Sequence, residues 1–167
     1  VGENRNRSFI SKEVAKEMAN SLPGCPIVGM FVEDKEDFLD HGQQITIDGE
    51  GVKFKTLTKP YGFVAPDAKI WFQKFEDTDD FGNTIVREYL MTTGFLWTGQ
   101  YEEAQRVITK GNNQSMELDE KTLEGNWATN NNTGVEFFII NDAIFSKLAI
   151  LGEDVEPCFE GASITAP

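Results

Sequence analysis

Short stretches of the chain alternate apolar and polar residues, the period of two that is typical of β-strands. Strands are predicted at residues 27–32, 43–47, 51–57, 68–75, 84–91, 94–98, 115–118 and 135–140. Asp48-Gly49-Glu50 is predicted to turn the second strand into the third, and Asp79-Asp80-Phe81-Gly82-Asn83 the fourth into the fifth. The polar stretch 124–134 is predicted to be a connection between the last two strands.

Three segments follow helical spacing instead, at residues 11–19, 101–110 and 142–151. Ser11 is a good N-cap for the first helix, and Pro23-Gly24 ends it. Asn141 or Asp142 is the expected N-cap of the third helix, and Gly152 follows its last residue. Six or seven of these strands forming one barrel, together with two or three helices, predict a β-rich α+β fold. We expect a closed or partly open β-barrel with peripheral helices, in one domain spanning residues 1–167.

The charge and composition of the chain limit the kinds of molecule that it is expected to bind and the compartment that it fits. The chain has 15 basic and 28 acidic residues and a net charge of −13. Such a surface repels phosphate backbones, so no nucleic-acid partner is expected. No apolar run has the roughly 18 residues that a membrane span needs, and the first residues lack the apolar core of a signal peptide. Cys25 and Cys158 are too few and too far apart for a disulfide framework or a metal knuckle, which fits a reducing cytoplasm.

His41 is the single histidine of the chain. Imidazole is the side chain whose ordinary pKa best suits acid–base chemistry near neutral pH, although a lone histidine is more often structural. A histidine-rich metal site is excluded. Asp77, Asp79, Gly82 and Glu88 match some positions of a calcium-binding loop, but Phe81 stands where an oxygen ligand is needed. A hairpin with an acidic turn is the better interpretation.

Two further polar residues lie on predicted strands. Glu136 stands in the apolar run Val135–Ile140, where a buried carboxylate is costly unless a partner satisfies it. Either its face of the strand meets solvent, or a specific donor holds it. On the strand 115–118, Ser115 and Glu117 point to one side and Met116 and Leu118 to the other. These patterns alone indicate an acidic β-rich domain with one candidate base.

Six short motifs, taken in order, carry a family resemblance. They are Leu22-Pro23-Gly24-Cys25-Pro26-Ile27-Val28-Gly29, His41-Gly42, Tyr61-Gly62, Gly94-Phe95-Leu96-Trp97, Ser115-Met116-Glu117-Leu118 and Pro157-Cys158-Phe159-Glu160-Gly161-Ala162-Ser163-Ile164. Together they resemble the capsid maturation (prohead) serine proteases of tailed phages, relatives of herpesvirus assemblin, over about residues 8 to 164.

The resemblance implies a serine endopeptidase with Ser115 as nucleophile and His41 as general base. Phage members use an acidic third residue, and Glu136 occupies the corresponding place, with Glu117 as the alternative. The arginine-containing segment that forms the oxyanion hole of assemblin has no counterpart at residues 141–147. Ala162-Ser163 resembles an assemblin cleavage site, but its place in the terminal motif favours a structural role.

The same resemblance implies the biological setting. The substrates would be phage major capsid and scaffold proteins and the protease itself, inside the assembling prohead in the host cytoplasm. A homodimer or higher homo-oligomer is expected, with no membrane partner, no cofactor and no metal.

Two rival interpretations stay open. A non-catalytic capsid-associated scaffold or decoration domain would keep the fold without needing the catalytic set. A Cys-His hydrolase would use Cys25 or Cys158, but neither cysteine has the basic or helix N-terminal setting that lowers a thiol pKa.

Overall fold

The fold was obtained as a computed structural model that describes residues 1–49 and 51–167, without the side chains of 43–46, 48 and 52–54. Strands greatly outnumber helices among the described residues, so the predicted β-rich class is confirmed. No helix in the described ranges is long and apolar enough to cross a membrane.

The elements follow one another in short segments. The strands are β1 (Gly2–Glu3), β2 (Ser8–Ile10), β3 (Pro26–Gly29), β4 (Phe31–Val32), β5 (Asp37–Phe38), β6 (Gln43–Asp48), β7 (Gly51–Thr56), β8 (Lys59–Val64), β9 (Ile70–Thr78), β10 (Thr84–Thr92), β11 (Gly94–Leu96), β12 (Asn112–Leu118), β13 (Glu124–Thr129), β14 (Glu136–Asp142), β15 (Phe145–Leu151) and β16 (Ser163–Ile164). The α-helices are α1 (Lys12–Met18) and α2 (Glu102–Lys110), and Ala19–Ser21 and Glu33–Lys35 form 3-10 turns.

A six-stranded sheet forms the centre of the fold, in the order β11-β8-β3-β15-β12-β16. It curves into an open half-barrel, the partly open form of the predicted barrel. Strands β15 and β3 run parallel, and the other neighbours in this sheet are antiparallel. On one face Ile27 and Ile150 pack against α2 through its fully buried Ala104 and Val107. The central strands are therefore fixed by a core on this face.

A second sheet has four strands in the order β1-β2-β14-β13. Helix α1 packs against it, and Ile10, Met18 and Ile140 form the shared core. The predicted first helix is confirmed, since the Ser11 side chain accepts a hydrogen bond from the Val14 backbone N–H as an N-cap does.

Both predicted hairpins are confirmed as antiparallel strand pairs, β6 with β7 and β9 with β10. Glu50, in the predicted turn of the first hairpin, lies outside the described residues. In the second turn, Asp79 Oδ1 accepts hydrogen bonds from the backbone N–H groups of Phe81 and Asn83. The carboxylate therefore closes a hairpin turn, as the sequence indicated.

Two predictions of secondary structure are wrong. Residues 145–151 form the strand β15, not a helix, and the predicted connection 124–134 contains the strand β13. Strand β15 lies inside the sheet between β3 and β12, and both of its faces carry buried residues such as Ala149 and Ile150. Its second half, Leu148–Leu151, is a continuous apolar run, which periodicity cannot distinguish from a segment of a buried helix. Strand β13 lies at a sheet edge with mostly exposed residues, so no apolar pattern marked it.

Candidate active site

The strand predicted at residues 115–118 is confirmed as part of β12, and its register places alternate residues in two environments. Gln114 and Met116 point to one face, and Met116 packs against the core beside α1. Ser115 and Glu117 point to the other face, where they pair across the strands with Ala149 and Lys147 of β15. At about 3.3 Å of rise per residue, the Cα atoms of Ser115 and Glu117 are about 7 Å apart.

Ser115 is the one buried polar residue among the described side chains, with 3% of its surface exposed. Its Oγ has no hydrogen-bond partner among the described residues. Leaving a buried hydroxyl unsatisfied costs about 1–3 kcal/mol. Buried polar atoms are satisfied in the great majority of native structures. Thr92 Oγ1 and Gln114 Nε2 are orphaned in the same way, and it is the place of Ser115 two residues from Glu117 that makes its hydroxyl a candidate functional group.

His41 reaches this face of the sheet from the loop between β5 and β6. The backbone turns sharply at Gly42, whose φ is +61°, a conformation that favours glycine. The turn is held at both sides: Gly42 N–H donates to Asp40 Oδ1 at 3.0 Å, and Leu57 N–H donates to the Gly42 carbonyl at 2.6 Å. This loop positions the imidazole so that its Nδ1 lies 2.7 Å from Glu117 Oε1.

Glu117 holds two groups with its two carboxylate oxygens. Oε1 bonds to His41, and Oε2 lies 3.0 Å from Lys147 Nζ. Burial raises the pKa of the Glu117 carboxyl, but the hydrogen bonds from His41 and Lys147 outweigh it and lower the pKa below the ordinary glutamate value. The group is therefore ionised near neutral pH and acts as an acceptor, so His41 Nδ1 is the donor. In the neutral imidazole, Nε2 is then left as the basic nitrogen.

Glu136 lies elsewhere. It is the first residue of β14 in the four-stranded sheet, pairs with Thr129 of β13 and is exposed. No hydrogen bond or ion pair of its side chain is found in the part of the chain that the structure describes. The structure thus brings Glu117, the alternative third residue, together with His41, and it does not bring Glu136 to either His41 or Ser115.

Lys147 is the member of this cluster that sequence reasoning missed. It lies in the segment for which a helix was predicted, and a helix gives no cross-strand partner. The pairing of Lys147 with Glu117 follows only from the antiparallel register of β12 and β15. A strand assignment for residues 145–151, with its alternation, was the signal that could have found it.

The two cysteines have settings that do not favour thiolate chemistry. Both are free, and burial raises the pKa of Cys25 to about 11 and also raises that of Cys158. Within the described ranges, no three His, Cys, Asp or Glu side chains are grouped so as to hold a metal ion.

Fold and site together describe a β-rich half-barrel protein with a serine, a histidine and a glutamate on one face of its central sheet. A family model for the YonD N-terminal domain matches residues 1–167, and the chain therefore belongs to the YonD N-terminal domain family. Neither a curated protein nor a solved structure gives a match to the chain.

Proposed function

We propose that this protein is a serine endopeptidase of the prohead-protease type, with Ser115 as nucleophile, His41 as general base and Glu117 as the orienting carboxylate. The observation that carries the proposal is the 2.7 Å hydrogen bond from His41 Nδ1 to Glu117, two residues along the strand from the buried Ser115 hydroxyl. A nucleophile, a base and a group that orients the base are the three parts that this chemistry needs.

The mechanism assigns one proton path to these groups. Ser115 Oγ attacks the scissile carbonyl carbon while His41 Nε2 accepts the hydroxyl proton, which gives a tetrahedral intermediate and an imidazolium. The imidazolium returns the proton to the leaving amine, and the C–N bond breaks to give the acyl-enzyme. Water then repeats the sequence on the ester and frees Ser115. Glu117 stays ionised throughout and stabilises the imidazolium through Nδ1–H.

Ser115 and His41 are not hydrogen-bonded to each other in this structure, so one movement must precede the reaction. Ser115 Oγ has no hydrogen-bond partner among the described residues, so His41 Nε2 must come closer to it. Catalytic hydrogen bonds are often loose in unliganded enzymes and tighten with substrate bound. His41 stands on a loop with 37% of its side chain exposed, whereas Ser115 and Glu117 are held in β12 by its ladder with β15. The loop of His41 is therefore the part that adjusts.

The proposed substrates are polypeptides of the phage capsid and scaffold, together with the protease itself, as the resemblance implies. The net charge of −13 favours encounter with basic or neutral segments and disfavours acidic ones. A homo-oligomer in the assembling prohead belongs to the same proposal.

The burial of Ser115 supports a second candidate function. A nucleophile that is 97% covered does not meet a substrate without rearrangement, and a non-catalytic capsid-associated domain needs none. The two candidates differ in whether the Ser115 hydroxyl is chemically activated, which is directly measurable.

Fluorophosphonate labelling, measured by intact-mass spectrometry, distinguishes the endopeptidase from the non-catalytic domain. The wild type is compared with Ser115→Ala, His41→Ala and, as a matched control, Ser146→Ala, which removes an exposed hydroxyl from the neighbouring strand. We expect a single adduct on the wild type and on Ser146→Ala, and a rate about 10³-fold lower or more in the other two variants. Labelling that persists in Ser115→Ala would refute the assignment, and a folded wild type that never reacts would favour the non-catalytic domain.

A further inference from the structure

The neighbourhood of Glu117 contains one more group that acts on the site from outside the catalytic set. Lys147 Nζ lies 3.0 Å from Glu117 Oε2, the oxygen that does not bind His41. We infer that Lys147 is a positioning residue, which fixes the Glu117 carboxylate so that its other oxygen holds His41 Nδ1. The inference deepens the proposed function, and its link to catalysis rests on that function.

The first step concerns rotation of the carboxylate. The terminal torsion of a glutamate side chain is broad, because it joins an sp³ carbon to an sp² carbon. A single hydrogen bond from His41 leaves the carboxylate plane free to turn about that contact. A second partner on Oε2 removes this freedom, and Lys147 supplies it from the adjacent strand at the position directly opposite Glu117.

The second step concerns solvent. The side chains of Glu117 and Lys147 are each only 16% exposed, far less than those of a typical surface pair. Partly buried ion pairs are screened little by water and salt, and removing one partner leaves the other uncompensated. Lys147 therefore keeps a negative charge on Glu117 at a depth where an unpaired carboxylate is disfavoured, and this charge is what His41 Nδ1–H binds.

A purely structural role is the competing explanation, since opposite charges facing each other across two strands also stabilise a sheet. The two explanations differ in their effect on the imidazole. A structural pair changes stability and leaves the position of the His41 proton unaltered. A positioning residue changes which ring nitrogen carries that proton.

The single histidine makes this measurement unambiguous, because every imidazole signal comes from His41. Long-range ¹⁵N–¹H correlation spectra of the neutral ring distinguish the Nδ1–H from the Nε2–H tautomer. The wild type is compared with Lys147→Met and Lys147→Arg. The control is Ser146→Ala, which removes a donor to the Glu117 backbone carbonyl and leaves the carboxylate untouched.

We expect the Nδ1–H tautomer in the wild type, in Lys147→Arg and in Ser146→Ala, and a shift toward Nε2–H in Lys147→Met. The fluorophosphonate labelling rate of Lys147→Met should fall about 10- to 100-fold, by analogy with the loss of residues that orient the ligands of metal sites. Circular dichroism verifies folding, and Lys147→Gln replaces Lys147→Met if that variant does not fold.

An unchanged tautomer in a folded Lys147→Met would overturn the inference, and so would an equal shift in Lys147→Arg. If the tautomer shifts as expected but the wild type never reacts with fluorophosphonate, the proposed protease activity fails while the positioning of His41 by Lys147 stands.

Discussion

Two glutamates on strands of this fold have opposite surroundings. Glu117 lies on β12 of the half-barrel, paired with β15, where Lys147 and His41 each bind one of its oxygens. Glu136 lies at the first position of β14 in the four-stranded sheet and is exposed. In the sequence the apolar neighbours of Glu136 make it the more conspicuous residue, whereas Glu117 stands in an ordinary alternating stretch.

The difference shows that apolar neighbours do not by themselves bury a strand residue. Strand β14 becomes buried only at Ile140, and at its first residue it is paired with β13 alone, because its ladder with β2 begins at Phe138. Glu117 is covered because β15 pairs with its strand at this position and the side chains of Lys147 and His41 contact its carboxylate. Depth depends on where a strand begins relative to its neighbours, which follows from register.

The largest expected difference between the two glutamates is in the rate of fluorophosphonate labelling. Glu117→Gln keeps the shape of the side chain but removes the charge that holds His41, so the fluorophosphonate labelling rate should fall about 10²- to 10⁴-fold. Glu136→Gln is the matched control and should react at the wild-type rate. A loss of reactivity in Glu136→Gln but not in Glu117→Gln would reverse the assignment of the third residue.

A second expected effect is on the free energy of unfolding in acid, to which Glu117 contributes through its lowered pKa. Because the folded-state pKa of Glu117 is lowered below the ordinary value of 4.5, the unfolded state binds this proton first as pH falls. The stability that Glu117 contributes is fully present above the ordinary pKa and is lost as pH falls through the folded-state pKa. The free energies of unfolding of the wild type and of Glu117→Gln should therefore differ most near neutral pH and converge as pH is lowered from neutrality to below the ordinary pKa of 4.5. A difference that stays constant over this range contradicts the lowered pKa.

The smallest effect concerns the exposed member of the pair. Glu136→Gln removes a charge that has no partner among the described residues, so its free energy of unfolding should change by less than about 0.5 kcal/mol. Urea unfolding at neutral pH measures this. A loss of more than about 1 kcal/mol would mean that a specific donor holds the Glu136 side chain.

Local signals in the sequence were enough to predict much of the fold. The Ser11 cap predicts α1, the acidic turn at residues 79–83 predicts a hairpin, and alternation at residues 115–118 predicts the strand of Ser115 and Glu117. These features depend on residues that are close along the chain. The pairing of Glu117 with Lys147 depends on the register between two strands, and the covering of Glu117 depends on a loop 76 residues away in sequence. Local patterns contain no such long-range information, so the carboxylate at His41 remained one of two alternatives.

Ser115 and Glu117 are joined through the backbone of a single strand, so the span between nucleophile and carboxylate is fixed covalently and by the ladder with β15. The catalytic set that we propose then has one member outside the sheet, the imidazole on its loop. An agent that displaces the turn at Gly42 by a few ångströms would switch the chemistry without disturbing the sheet. A binder raised against that loop could therefore inhibit the protein while leaving its fold intact.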